Sequence, residues 1–170
     1  MDDVFVERLI TRKSGAKEIA MKALIVIGVI LVFFLSFRYL RLLAPIVIVL
    51  GLWGAWTFWT RLNIEYEYSL SNGELSVSAI YGQQKRKDLM EIPLREKLEI
   101  LAPVNNDFRD ELQRNVAKTH DFASSPNANN RYFMIVSGEQ GLEKIFFEPD
   151  EKMLKAIRRV VPSKVKGVIL

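Results

Sequence analysis

A single histidine, His120, with Asp121 beside it, and a complete lack of cysteine leave a short inventory of reactive side chains. Without cysteine there is no thiolate nucleophile, no thiolate metal ligand and no disulfide framework. A metal or catalytic centre needs several convergent ligands, or an acid, a base and a nucleophile within reach. No second histidine and no spaced carboxylate motif accompanies His120. A phosphate-binding glycine loop and a hydrolase nucleophile elbow are also missing. The expectation is therefore no catalytic residue, no metal and no cofactor, with His120 structural or on the surface. The chemistry on offer is electrostatic. Lys85, Arg86 and Lys87 are consecutive, and Arg61 closes a long apolar stretch. Cations near an anionic membrane surface each contribute on the order of 1 kcal/mol, so these four are the candidate contacts for anionic lipid headgroups. The alternative for them is a solvated turn, or charge kept for topology alone.

Two apolar runs must position these cations. ALIVIGVILVFFLSF, residues 23–37, and LLAPIVIVLGLWGAWTFW, residues 42–59, contain no charge. Crossing a hydrocarbon core of about 30 Å takes roughly 17 to 25 helical residues. The expected helices cover about 20–38 and 42–60, the first beginning near Ile19, with the Lys22 amine extended to the headgroups. Only Arg38, Tyr39, Leu40 and Arg41 separate the runs, so the helices are expected to be antiparallel neighbours in a transmembrane hairpin. Pro45 falls in the first turn of the second helix, where its missing N–H costs nothing. Trp53, Trp56 and Trp59 gather near one end like an interfacial aromatic belt, and with Lys22 they are the expected membrane anchors.

Orientation follows from the flanking cations. Arg8, Arg12, Lys13, Lys17 and Lys22 precede the first run and Arg61 follows the second, against Arg38 and Arg41 between them. The positive-inside rule then puts both termini in the cytoplasm of a multi-pass protein of the cell membrane. The net charge of +4 is met by this topology, and no stretch interleaves basic and stacking residues as a nucleic-acid module would. Ahead of the runs, DDVFVERLITRK (2–13) places Phe5, Val6, Leu9 and Ile10 on one helical face, with Asp2 or Asp3 as cap. Two readings stand for this segment: an amphipathic helix on the inner leaflet, or a lead-in docked on the soluble domain.

Beyond Arg61 the pattern changes. IEYEYSL (64–70) alternates apolar and polar residues, Asn72-Gly73 is a preferred two-residue hairpin turn, and Leu75, Val77, Ala79 and Tyr81 alternate on the way back. QQKRKD then reads as a polar turn, followed by strands at 89–94 and 97–102, with Pro93 at an edge or bulge. Residues 105–119 read as a short helix carrying Phe108, Leu112 and Val116, and 124–130 as an exposed loop. Whether a strand near Phe122 adds to the count stays open. A second hairpin is expected from 131–136 and 143–147, and a last helix opened by Asp150 buries Met153, Leu154, Ile157, Val160 and Val161 before Pro162. The fold class is α+β: a transmembrane hairpin, then an antiparallel meander of about six strands capped by a C-terminal helix. The domain organisation is an N-terminal segment 1–22, the hairpin 23–60, a cytoplasmic domain 61–162 and a tail 163–170.

This order, with YEYSLSNGELSVSAIYGQQKRKDLMEIPL early and IFFEPDEKMLKAIRRVV late, resembles bacterial pleckstrin-homology-like (PH-like) domains attached to a pair of membrane helices. The resemblance implies a partly open barrel of about seven strands capped by the last helix, and a binding role without catalysis. The function expected is a membrane-anchored binding or scaffolding module at the inner face, with the bilayer, anionic headgroups and a protein as partners. The alternative is an accessory subunit of a membrane transporter or envelope assembly. Because one strand traverses about 23 Å and the Asn72-Gly73 turn sends the chain back the same distance, Lys85 to Lys87 are expected to return to the membrane.

Overall fold

The computed structural model describes residues 5–167, so the expected Asp2 or Asp3 cap lies outside them. The chain divides into two compact units. One holds residues 13–64 and 81–85; the other holds the residues up to 12, 65–80 and those from 86 onward.

The first unit is built on apolar helix. Helix α1 (Ala16–Leu35) runs into a π turn (Ser36–Leu40), a 3-10 turn (Arg41–Leu43) and helix α2 (Ala44–Arg61), with Pro45 in the first turn of α2. Helical turns thus continue without a break from Ala16 to Arg61, one bent helix where the sequence reading expected two helices joined by a four-residue turn. The helix propensity of residues 36–43 carries the chain through the bend, and the π turn absorbs the change of direction. Arg41, at φ 29°, leaves the helical backbone region where the π turn ends. Past the bend the two arms lie side by side, close enough that a Cβ on Gly51 would meet Val32 Cγ1 at 3.3 Å. Ser36 and Ala44 are buried at the bend. Elsewhere the segment leaves large apolar side chains exposed, among them Leu24 (67%) and Trp56 (71%). By length and composition it can cross a membrane.

The second unit is built on β-structure. Strand β1 (Val6–Thr11) pairs antiparallel with β2 (Ile64–Ser71), Val6 opposite Leu70 and Thr11 opposite Glu65. This corrects one of the two readings of the segment, the amphipathic helix. VERLIT satisfies a period of two as well as a helical one, and the strand buries Ile10 on one face while Leu9 stays half exposed on the other. Its partner lies across the whole helical segment, where local periodicity carries no information.

Strands β3 (Glu74–Tyr81) and β4 (Lys85–Pro93) complete a four-stranded sheet in the order β1-β2-β3-β4. Asn72 (φ 52°) and Gly73 (φ 84°) make the expected two-residue turn between β2 and β3. Pro93 ends β4, an edge strand, where its missing donor does no harm. After the short helix α3 (Leu94–Lys97), strands β5 (Leu98–Pro103), β6 (Lys118–Asp121), β7 (Tyr132–Gly138) and β8 (Gly141–Phe147) form a second sheet, ordered β5-β7-β8-β6. The β7–β8 hairpin closes through Glu139 and Gln140, tighter than expected. The described residues therefore hold eight strands in two antiparallel-based sheets rather than a meander of about six. The strand left open near Phe122 is β6, which runs parallel to β8. The helix expected over 105–119 is a 3-10 turn (Asn106–Phe108) and a short α4 (Arg109–Gln113); Phe108 and Leu112 cover Ala102, Phe133 and Ile135.

Tyr68, fully buried on β2, ties the sheets together. Its ring meets Phe147 edge-on at 5.6 Å, and its hydroxyl donates to the Phe122 carbonyl at 2.7 Å. Burial pushes the Tyr68 hydroxyl far above its ordinary pKa, so it remains a donor. The last helix, α5 (Glu151–Val160), is capped by Asp150, which accepts from the Met153 N–H at 2.8 Å, and buries Met153, Leu154, Ala156 and Ile157. Burial of Met153, Leu154 and Ile157 contributes about 1.5–3 kcal/mol each. Val165 then bridges to Leu101, so residues expected as a tail attach to β5.

Candidate functional site

The foot of the helical segment gathers the candidate anchors. Residues 62–64 leave α2 without a strong cap, and their polar groups are met by neighbours in the same unit. Lys22 Nζ on α1 donates to Asn63 Oδ1 at 3.1 Å and to Ser14 Oγ at 3.0 Å, and lies 5.4 Å from the centre of the Trp59 ring. A solvent-accessible cation over an indole face of this kind is stabilised by about 0.5–1 kcal/mol. Thr57 and Thr60 turn their hydroxyls back to carbonyls one turn earlier, so the end of α2 presents little unsatisfied polarity of its own.

The loop that follows β3 closes on the same spot. Gly82 N–H donates to the Asn63 carbonyl at 2.9 Å, and Gly82 sits at φ +58° with room for no side chain, since a Cβ there would lie 2.9 Å from the Thr60 carbonyl oxygen. Lys85 belongs to this unit too.

The remaining cations divide. Lys85, Arg86 and Lys87 were expected in a turn, but the turn is confined to Gly82–Gln84 and all three begin β4, all exposed. Alternation along a strand puts Lys85 and Lys87 on one face and Arg86 on the other. Arg86 is engaged: Nη1 lies 2.7 Å from Glu67 Oε1 and Nε 3.4 Å from Asp88 Oδ1. Glu67 is buried on β2, and that burial, with a hydrogen bond to Glu7, raises its pKa against the opposing pull of Arg86. Asp88 is held below the usual carboxylate range by the Ser78 hydroxyl, which donates to it at 2.7 Å, and by Arg86. Arg61 is exposed in the last turn of α2. Of the tryptophans, Trp53 and Trp56 are largely exposed and Trp59 is partly covered by its contact with Lys22.

His120 and Asp121 point to different partners. His120 Nε2 lies 3.0 Å from Glu143 Oε2 and its ring stacks on Phe122, whereas Asp121 pairs with Arg131 at 2.8 Å. Arg131 lies over the Phe146 ring and donates to the Pro126 carbonyl, which ties the 124–130 loop to β8. Among the described residues no three His, Asp or Glu side chains are grouped as metal ligands. Lys144, also buried, donates to the carbonyls of Leu112 and Arg114 at the end of α4, and burial lowers its pKa. These are fastenings of the second sheet.

Sequence reasoning missed Ser14, Asn63 and Gly82. Asn63 carried a usable signal: a polar residue directly after an apolar helix is placed to meet what the helix end leaves unpaired.

No curated protein and no solved structure matches the chain. A family model does match, the one described as "Bacterial PH-like domain (DUF6106)", over residues 2–167, a span that takes in β1, the helical segment and both sheets. The chain belongs to this bacterial PH-like domain family.

Proposed function

We propose that the chain is a non-enzymatic, membrane-anchored binding module that holds its PH-like domain at the inner face of the cell membrane to engage a lipid or protein partner. One observation carries the reading. The apolar segment Ala16–Arg61 is inserted between two strands that pair with each other, Thr11 opposite Glu65. A segment so bracketed leaves and returns to one place, so it enters and exits a bilayer on the same side, in two crossings. The side chains it leaves exposed suit a hydrocarbon solvent, and the backbone of both arms is satisfied within the helix. Arg12, Lys13, Lys17, Lys22 and Arg61 flank the segment against Arg38 and Arg41 at the bend, which favours the cytoplasm for the domain.

Fractionation tests the anchor. The full chain is expected to stay in the membrane pellet through an alkaline carbonate wash and to be released by detergent; release by carbonate alone would overturn it.

A second reading, an accessory subunit of a membrane transporter or envelope assembly, draws on Gly28 and Gly54, one on each arm, where a Cβ would meet nothing within 4 Å. Such bare positions let another helix approach closely. Exchanging residues 16–61 for an unrelated hairpin separates the two: partner capture that survives favours the module, and loss with normal insertion favours the subunit.

A further inference from the structure

Between the two arms of the helical segment runs a groove of about 380 Å³, lined by Ile25, Val29, Leu52, Ala55, Trp56 and Trp59 and almost wholly apolar. Its volume falls in the range of small-molecule sites and far below that of a partner helix, a rod about 10 Å across. One end of the groove is marked by Trp59, and over the Trp59 ring lies the Lys22 ammonium. Lys22 is fixed there by Ser14 Oγ and Asn63 Oδ1, two neutral oxygens that orient the amine without neutralising it. An apolar slot with a cation and an indole at its rim is complementary to an acyl chain that ends in an anionic headgroup.

We propose that this groove binds one anionic phospholipid, an acyl chain lying along Ile25, Val29, Leu52 and Ala55 and its phosphate on Lys22. The site rests on the membrane-anchored reading above. It is distinct from the expected headgroup contacts at Arg61, Lys85, Arg86 and Lys87, of which Arg86 also pairs with Glu67 and Asp88. It also gives Asn63 and Ser14 a purpose: they hold one amine at the depth of the indole belt, where headgroups lie.

The test uses the full chain in nanodiscs made with phosphatidylcholine and either brominated phosphatidylglycerol or brominated phosphatidylcholine, and reads quenching of tryptophan fluorescence by the bromines. The wild type is expected to favour phosphatidylglycerol about fivefold, the worth of one cation at the surface. Lys22→Gln is expected to abolish the preference, and Lys17→Gln, which alters the same surface charge away from the groove, to keep it. Ala55→Phe, which narrows the groove without adding an indole, is expected to lower quenching by both lipids. Equal quenching by the two lipids in the wild type, or an equal loss in the Lys17 and Lys22 variants, would overturn the site while leaving the anchor standing. Absence of quenching by either lipid would overturn the anchor, and the site with it.

Discussion

Thr11 and Glu65 are register partners in one antiparallel ladder although the whole apolar helical segment lies between them. The helical segment thus occupies the place of a hairpin loop, and the domain is completed only when the chain returns from it. Loop closure grows costlier only slowly with length, so such an insertion is tolerated once β1 has a partner to rejoin. Residues 6–11 belong to the sheet of the PH-like fold, and the family's match spans both that strand and the helical segment.

Gly82 is expected to tolerate no side chain. Gly82→Ala must adopt φ +58° and bring its Cβ onto the Thr60 carbonyl, so the full chain in detergent is expected to lose about 1–3 kcal/mol in denaturant unfolding. A change within about 0.3 kcal/mol would contradict the close approach of this loop to the end of α2.

Tyr68→Phe removes the hydroxyl that bonds the Phe122 carbonyl without altering the packing of the ring on Phe147. Leaving that buried carbonyl unpaired costs about 1–3 kcal/mol. A drop of this size in unfolding free energy, with the folded far-ultraviolet spectrum unchanged, is expected. No drop would mean that the hydroxyl does not join the sheets.

Glu67 should make stability depend on pH. Its folded pKa is raised by burial, so between the usual carboxylate value and that raised value the folded chain binds more protons than the unfolded one. Its contribution is present at acidic pH and is lost as pH rises through that window. Glu67→Gln, which cannot ionise, is therefore expected to gain stability relative to wild type on going from pH 4 to pH 7, in parallel unfolding titrations. A difference that is flat or runs the other way would contradict the burial of this carboxylate.

The legible parts of the fold were those encoded over a few neighbouring residues. Asn72-Gly73 specifies its own turn, Asp150 and the stripe from Met153 to Val161 specify α5, and SSPNANN cannot be other than a loop. What escaped depends on distant partners. Residues 6–11 fit a helix or a strand equally until β2 arrives to pair with them, and Lys85 to Lys87 look like a turn until β3 draws them into β4. The parallel pairing of β6 with β8 has no local signature. At the site, Lys22 and Trp59 were singled out in the sequence by their positions at the ends of the apolar runs. Their contact was not, because it depends on how the arms pack beyond the bend.

The proposed even number of crossings is tested most directly by single cysteines, which the chain permits because it has none of its own. Asn72→Cys, in the exposed β2–β3 turn, and Tyr39→Cys, exposed at the bend, would be probed in intact cells with a membrane-impermeant maleimide. The expected result is labelling of Tyr39→Cys from outside, with Asn72→Cys labelled only after the cells are opened. Labelling of both positions from the same side would contradict the account.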